Sequence, residues 1–126
     1  ILMVGHVLQY HPAYVKLRAL VEEGAIGSLR YIYSNRKSMG KFRTEEDVVW
    51  SFAPHDLSMI LGLTGAQPVQ IFSHGAILTD GDHFDSAHLH MTFPTGMKAC
   101  IPIAWPDTVV VVSAPLMLIV VICILR

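Results

Sequence analysis

The sequence contains little charge and few cysteines, and these shortages exclude several classes of protein. Charged residues make up 15% of the 126 positions and hydrophobic residues 52%, which is not the composition of a disordered chain. Nine basic and ten acidic side chains give a net charge of -1, and no basic patch is present to bind nucleic acid. Cys100 and Cys123 lack the spacing of a zinc site or a disulfide scaffold. We interpret them as buried, reduced thiols of a cytoplasmic protein.

Motifs for phosphate binding, nucleophilic catalysis and metal binding are also missing. The chain has no GxGxxG, Walker loop, GxSxG or HExxH, so it carries no glycine-rich loop for the phosphates of a cofactor. His88 and His90 share one face of a predicted strand and could hold a metal, but no third ligand with matching spacing is evident. We favour a solvated sheet face there and predict no metal site.

The order of predicted elements is typical of an α+β domain. Periodicity and turn residues predict, in order, a buried strand at 1–4, a helix at 12–23, a strand at 29–34, a loop at 35–47, a helix from about 54 to 63 and strands at 69–76, 87–93 and 97–104. In the 87–93 segment apolar residues alternate with polar ones, so one face is buried and the other is wet. We expect a mostly antiparallel open sheet with helices packed on one face.

The apolar tail at 108–126 leaves three alternatives. Its length and composition would allow it to cross a bilayer as a helix. The β-branched runs at 109–112 and 119–122, with Pro115 between them, favour strands instead. A tail that is not the natural continuation of the chain is the third alternative. We favour the strand or the unnatural tail, and we expect no membrane partner.

His55 is the strongest candidate for acid–base chemistry. It lies between Pro54 and Asp56, in what we predict to be the first turn of the second helix. The dipole of that turn disfavours a proton on the imidazole, whereas a neighbouring carboxylate favours one. These opposed effects would leave the ring ready to accept or release a proton. From these residues alone, a helix-capping or buried structural histidine is a slightly better interpretation.

Several short segments follow one another along the chain in a set order: LMVGH at 2–6, YHPA at 10–13, GAIGSL at 24–29, WSFAPHD at 50–56, FPTG at 93–96 and AW at 104–105. Taken in this order, they resemble the Gfo/Idh/MocA family of glucose–fructose oxidoreductases and inositol dehydrogenases. The resemblance covers roughly residues 1–106, and the Ala-Pro-His-Asp sequence around His55 is similar to the branch that acts on nucleotide-linked amino sugars.

The resemblance implies a fragment of a two-domain Rossmann-type oxidoreductase. Residues 1–6 would be the last strand of a truncated Rossmann domain, and residues 7–126 a carboxy-terminal substrate-binding α/β domain with the atypical tail at 108–126. The family's glycine-rich fingerprint and its Glu-Lys-Pro lysine would lie upstream. NAD or NADP would therefore bind mainly outside this chain, which we expect to be inactive alone.

The resemblance also implies roles for individual residues. His55 corresponds to the catalytic histidine, which takes the hydroxyl proton as the sugar carbon loses its hydride to the nicotinamide. Many members of the family have an aspartate four residues earlier, where this chain has Ser51. Tyr10 and Arg36 are candidate substrate contacts, and Trp50 is a candidate cofactor contact. The alternatives are core aromatics for Tyr10 and Trp50 and a surface charge for Arg36.

The partners that we expect are a small-molecule sugar and further copies of the chain, bound through the sheet. Two other functions remain open from the sequence. One is a non-catalytic oligomerisation or interaction module, and the other is a small membrane-anchored protein that uses residues 108–126.

Overall fold

Helices and strands alternate in the first half of the chain, and the described elements of the second half are strands. The computed structural model describes residues 1–37 and 45–105 and the backbone of 119–124. Its elements are a 3₁₀ helix at Val7–Tyr10, α1 at Pro12–Glu22, β1 at Leu29–Lys37, α2 at Val48–Thr64, β2 at Gln70–Ala76, β3 at Ser86–Thr92, β4 at Lys98–Ala104 and β5 at Ile119–Ile124. The expected α+β fold is confirmed.

The sheet is mostly antiparallel, as expected, with the order β2-β3-β4-β1-β5. Only β1 and β4, among the described strands, pair in parallel, with Ile32 opposite Ala99. The side chains of β3 alternate between buried and exposed positions, because α2 covers one face of the sheet. Leu89 lies opposite Ile101 in the register, and both are buried on the helix side.

The start of α2 differs most from the prediction. The helix begins at Val48, well before Pro54, because the Asp47 side chain caps it by accepting hydrogen bonds from the backbone N–H groups of Val49 and Trp50 at 2.9 and 3.0 Å. Pro54 lies inside the helix, so the predicted start near Pro54 is wrong. A proline can occupy a helix interior at the loss of one backbone hydrogen bond. His55 is therefore not in the first turn.

The amino-terminal segment at 1–4 is neither a strand nor buried in this chain. Its side chains are exposed, and none of the described strands lies beside it. A strand needs a neighbour to take up its backbone hydrogen bonds. The assignment of residues 1–6 to a Rossmann sheet requires such a neighbour from another domain and stays a prediction.

The strand interpretation of the tail is confirmed where the structure describes it. β5 pairs antiparallel with β1, and Ile122 lies opposite Ile32. The rest of the tail, the 38–44 part of the predicted loop and the side chain of Cys123 lie outside the described residues, while Cys100 is a buried free thiol as expected. Within the described ranges, no helix is long and apolar enough to cross a membrane.

Two hydrogen bonds between described residues tie the backbone of α2 to the preceding segments. The Tyr14 hydroxyl donates to the carbonyl of Met59 at 2.8 Å, and the Gln9 side chain donates to the carbonyl of Ser58 at 2.6 Å. Ile60 and Leu63 add buried side chains on the sheet side of the helix. These contacts hold α2 across the sheet and so fix the direction of its polar side chains.

Candidate functional site

A buried carboxylate joins α2 to β1. Asp56 on α2 is 0% exposed. The Ser34 hydroxyl donates to its Oδ1 at 2.6 Å, and Arg36 Nε donates to its Oδ2 at 2.8 Å. Ser34 and Arg36 reach the same carboxylate because residues two apart on a strand point to the same side of a sheet. A carboxylate removed from water requires such partners to stay charged.

The guanidinium of Arg36 is held from two sides. Asp56 binds its Nε, and the Phe52 ring lies below it, 6.0 Å from the guanidinium carbon to the ring centroid. Phe52 in turn packs against Trp105 with ring centroids 4.8 Å apart. The side chain of Arg36 is only 22% exposed, so the surface-charge alternative is wrong. The Nη groups carry the remaining donors of this arginine.

His55 lies next to Asp56 in the chain but does not share its contacts. The Asp56 carboxylate is engaged by Ser34 and Arg36, so it is not the partner of the imidazole that we expected. Because α2 begins at Val48, the dipole of a first turn does not act on His55 either. The side chain is partly buried, and Nδ1 is buried without a hydrogen-bond partner among the described residues. The two premises of the local argument are wrong, and the catalytic role stays a prediction.

A second carboxylate lies near the start of α2. Ser51, one helical turn before His55, donates from its hydroxyl to Oε1 of Glu46 at 3.2 Å. We did not single out Glu46 from the sequence. The sequence offered one signal for this part of the site: Ser51 and His55 are four residues apart, and residues at this spacing share a helix face.

The two candidate aromatics are on the surface. Tyr10 ends the 3₁₀ helix and is 71% exposed, and Trp50 in the first turn of α2 is 77% exposed. The alternative that they are core aromatics is therefore wrong. Their contacts with substrate and cofactor stay predictions.

Histidines cluster on the sheet face opposite the helices. His74 on β2 and His88 on β3 stack with ring centroids 5.0 Å apart, and His90 follows on the same face. Burial lowers the pKa of His88, and the nearby His74, His90 and Lys37 lower it further. The described residues include no group of three or more potential ligands arranged to hold a metal ion.

Comparisons with known proteins identify the family. The sequence pattern of the GFO/IDH/MocA C-terminal domain matches residues 14–108. UDP-N-acetylglucosamine 3-dehydrogenase of Acidithiobacillus ferrooxidans is 34% identical over 100 residues, which make up 79% of this chain and 30% of that protein. The chain thus spans about a third of the length of this relative.

Solved structures agree with the sequence match. The structure of the same Acidithiobacillus ferrooxidans enzyme superposes with a TM-score of 0.70 at 32% identity, covering 91% of this chain and 35% of that one. An aldose–aldose oxidoreductase from Caulobacter crescentus superposes with a TM-score of 0.74 over 83% of this chain and 35% of that one, and its 21% identity shows the shared fold alone. The chain therefore belongs to the GFO/IDH/MocA family, and the fold described above is that of the family's C-terminal domain.

Proposed function

We propose that this chain is the substrate-binding part of a nicotinamide-dependent dehydrogenase that oxidises a nucleotide-linked amino sugar. The similarity to UDP-N-acetylglucosamine 3-dehydrogenase supports this substrate class. The observation that carries the proposal is the arrangement on α2: a partly buried imidazole at His55 adjoins a fully buried Asp56 that fixes a cationic side chain.

His55 would act as the base. Its imidazole would take the proton of the sugar hydroxyl while the C–H bond at the same carbon breaks, since imidazole accepts protons near neutral pH. Nε2 is the nitrogen left for the substrate, because Nδ1 is buried. The nicotinamide, when bound, accepts the hydride.

Arg36 would bind an anionic part of the substrate, such as the diphosphate of a nucleotide sugar. Its Nη donors suit phosphate oxygens, and its charge is permanent. Asp56 and Phe52 hold the guanidinium before the substrate arrives, so the Arg36 side chain loses little conformational entropy on binding. Tyr10 would add a substrate contact, and Trp50 would pack near the cofactor.

The dinucleotide itself does not fit the residues of this chain. Phosphates of NAD or NADP are held by a glycine-rich loop at a helix start, and the sequence has no GxGxxG. An upstream domain would hold the cofactor, and the chain alone would be inactive.

The substrate class is tested by steady-state kinetics on a protein in which this chain follows a dinucleotide-binding domain. The formation of NADH or NADPH is measured with UDP-N-acetylglucosamine, with free N-acetylglucosamine and with myo-inositol. We expect turnover with the nucleotide sugar and a much lower kcat/KM with the other two. Equal kcat/KM for the free sugar would contradict a role for the nucleotide and for Arg36 in binding it.

We also propose that the chain pairs with a second copy through the sheet, a property that an interaction module without catalysis would share. The edge strand β2 carries exposed apolar side chains, with Ile71 61% and Phe72 60% exposed. Sedimentation should show an oligomer in the wild type and a smaller species in Phe72→Lys. A monomeric wild type would contradict this part of the proposal.

A further inference from the structure

We propose that Glu46, acting through the hydroxyl of Ser51, positions His55 as a base by fixing which of its ring nitrogens carries the proton. The inference concerns a positioning residue and rests on the proposed function for the role of His55 in turnover. The tautomer of the His55 imidazole can be measured without turnover.

The first observation is the hydrogen bond between Ser51 and Glu46. The Ser51 hydroxyl donates to Glu46 Oε1 at 3.2 Å, and both side chains are partly buried. A serine hydroxyl has a single proton to donate and two lone pairs that accept. Because the proton points to the carboxylate, Ser51 is left as an acceptor towards any further neighbour.

The second observation is an unpaired ring nitrogen of His55. Its Nδ1 is buried and has no hydrogen-bond partner among the described residues. Leaving a buried ring nitrogen unpaired is unfavourable, since it has lost its bond to water. A nitrogen in this position therefore gains from any acceptor or donor that a small rotation of the ring can reach.

Helix geometry places Ser51 on the same face as His55, one turn before it. Residues four apart share a helix face, and the Cα–Cβ bonds of a helix tilt towards its amino terminus. The His55 side chain is thus directed over the preceding turn, where Ser51 lies on the same face.

Two other carboxylates near His55, among the described residues, are already engaged. Asp47 accepts from the backbone amides of Val49 and Trp50, and Asp56 binds Ser34 and Arg36. Glu46 is the carboxylate that accepts a hydrogen bond from Ser51, one helical turn before His55.

A hydrogen bond from the His55 imidazole to Ser51 would set the tautomer. If Ser51 donates to Glu46, it accepts from the imidazole, so the His55 proton must sit on Nδ1. Nε2 then keeps its lone pair, which is the state that a base requires. A neutral histidine free in water prefers the opposite tautomer, with the proton on Nε2, so the two states can be told apart.

The test is a long-range ¹H–¹⁵N correlation spectrum of the ¹⁵N-labelled chain, recorded at a pH where its imidazoles are neutral. We expect the wild type to carry the His55 proton on Nδ1. In Glu46→Ala the Ser51 hydroxyl is released to donate to Nδ1, and in Ser51→Ala the acceptor is gone, so both variants should move the proton to Nε2. Glu45→Ala, at the exposed neighbouring carboxylate, is the matched control and should keep the wild-type spectrum.

The outcomes separate this inference from the proposed function. A wild-type proton on Nε2, or an unchanged tautomer in either Glu46→Ala or Ser51→Ala, would overturn it. Should Glu46→Ala fail to fold, Ser51→Ala alone decides. Failure of the proposed function is seen elsewhere, as unchanged turnover when His55 is replaced, and it would leave the tautomer result standing.

Discussion

Replacing Arg36 with methionine would remove one of the two side chains that, among the described residues, donate to the buried Asp56 carboxylate. Asp56 is 0% exposed, and the Arg36 Nε atom lies 2.8 Å from its Oδ2. Breaking a buried ion pair costs about 3–5 kcal/mol, because the remaining charge keeps its desolvation cost and loses its attraction. Since the side chain of Arg36 is 22% exposed, we expect a loss at the low end, about 3 kcal/mol.

Urea unfolding followed by circular dichroism measures this loss. With a slope of about 2 kcal/mol per molar, a loss of about 3 kcal/mol lowers the midpoint by about 1.5 M. Arg36→Met combined with Asp56→Asn should lose less than the sum of the two single variants, because no unpaired charge remains buried.

The surface offers a matched control for this experiment. Arg18 and Glu22 form an ion pair with the same 2.8 Å distance from Nε to oxygen, but their side chains are 49% and 60% exposed. Exposed pairs contribute little to stability, so Arg18→Met should leave the urea midpoint unchanged. Equal midpoints for Arg36→Met and Arg18→Met would refute the reasoning that burial gives the Asp56 network its energy.

Two further predictions concern the start of α2 and the histidine face of the sheet. Asp47→Ala removes the cap that accepts from two backbone amides and should lower the free energy of unfolding by about 1 kcal/mol, measured by urea unfolding; an unchanged midpoint would argue against the cap. In the folded chain the pKa of His88 lies below its ordinary value of about 6.5. Between these two pKa values the unfolded chain binds more protons than the folded chain, so the free energy of unfolding decreases as the pH falls through this window. His88→Gln should therefore reduce the difference between urea midpoints measured at about pH 7.5 and about pH 5.5, and an unaltered difference would contradict this role.

The strands were predictable because their signal is local. In β3 the alternation of Ala87, Leu89 and Met91 with polar residues follows from one covered face, and the observed burial has the same period. The start of α2 was missed because Pro54 was given more weight than Asp47, although an aspartate before an apolar run is a typical helix start.

The polar contacts of the site depend on the packing of α2 on the sheet. Ser34 and Arg36 are 22 and 20 residues from Asp56 in the chain. No local pattern indicates that their side chains meet, because the meeting requires both the strand register and the position of the helix. His55, by contrast, was found through its place in a family pattern, while the local argument for it relied on a helix start that is wrong.

The central claim, that His55 is the acid–base group of a sugar dehydrogenase, is tested most directly by the kcat of His55→Asn in a protein that carries this chain behind a dinucleotide-binding domain. His83→Asn, at a histidine in the loop between β2 and β3, makes the same substitution away from α2 and serves as the control. Loss of a general base typically lowers the rate by about 10²–10⁴-fold, and we predict a fall of that size for His55→Asn with His83→Asn unchanged. A kcat for His55→Asn equal to that of the wild type would contradict the claim.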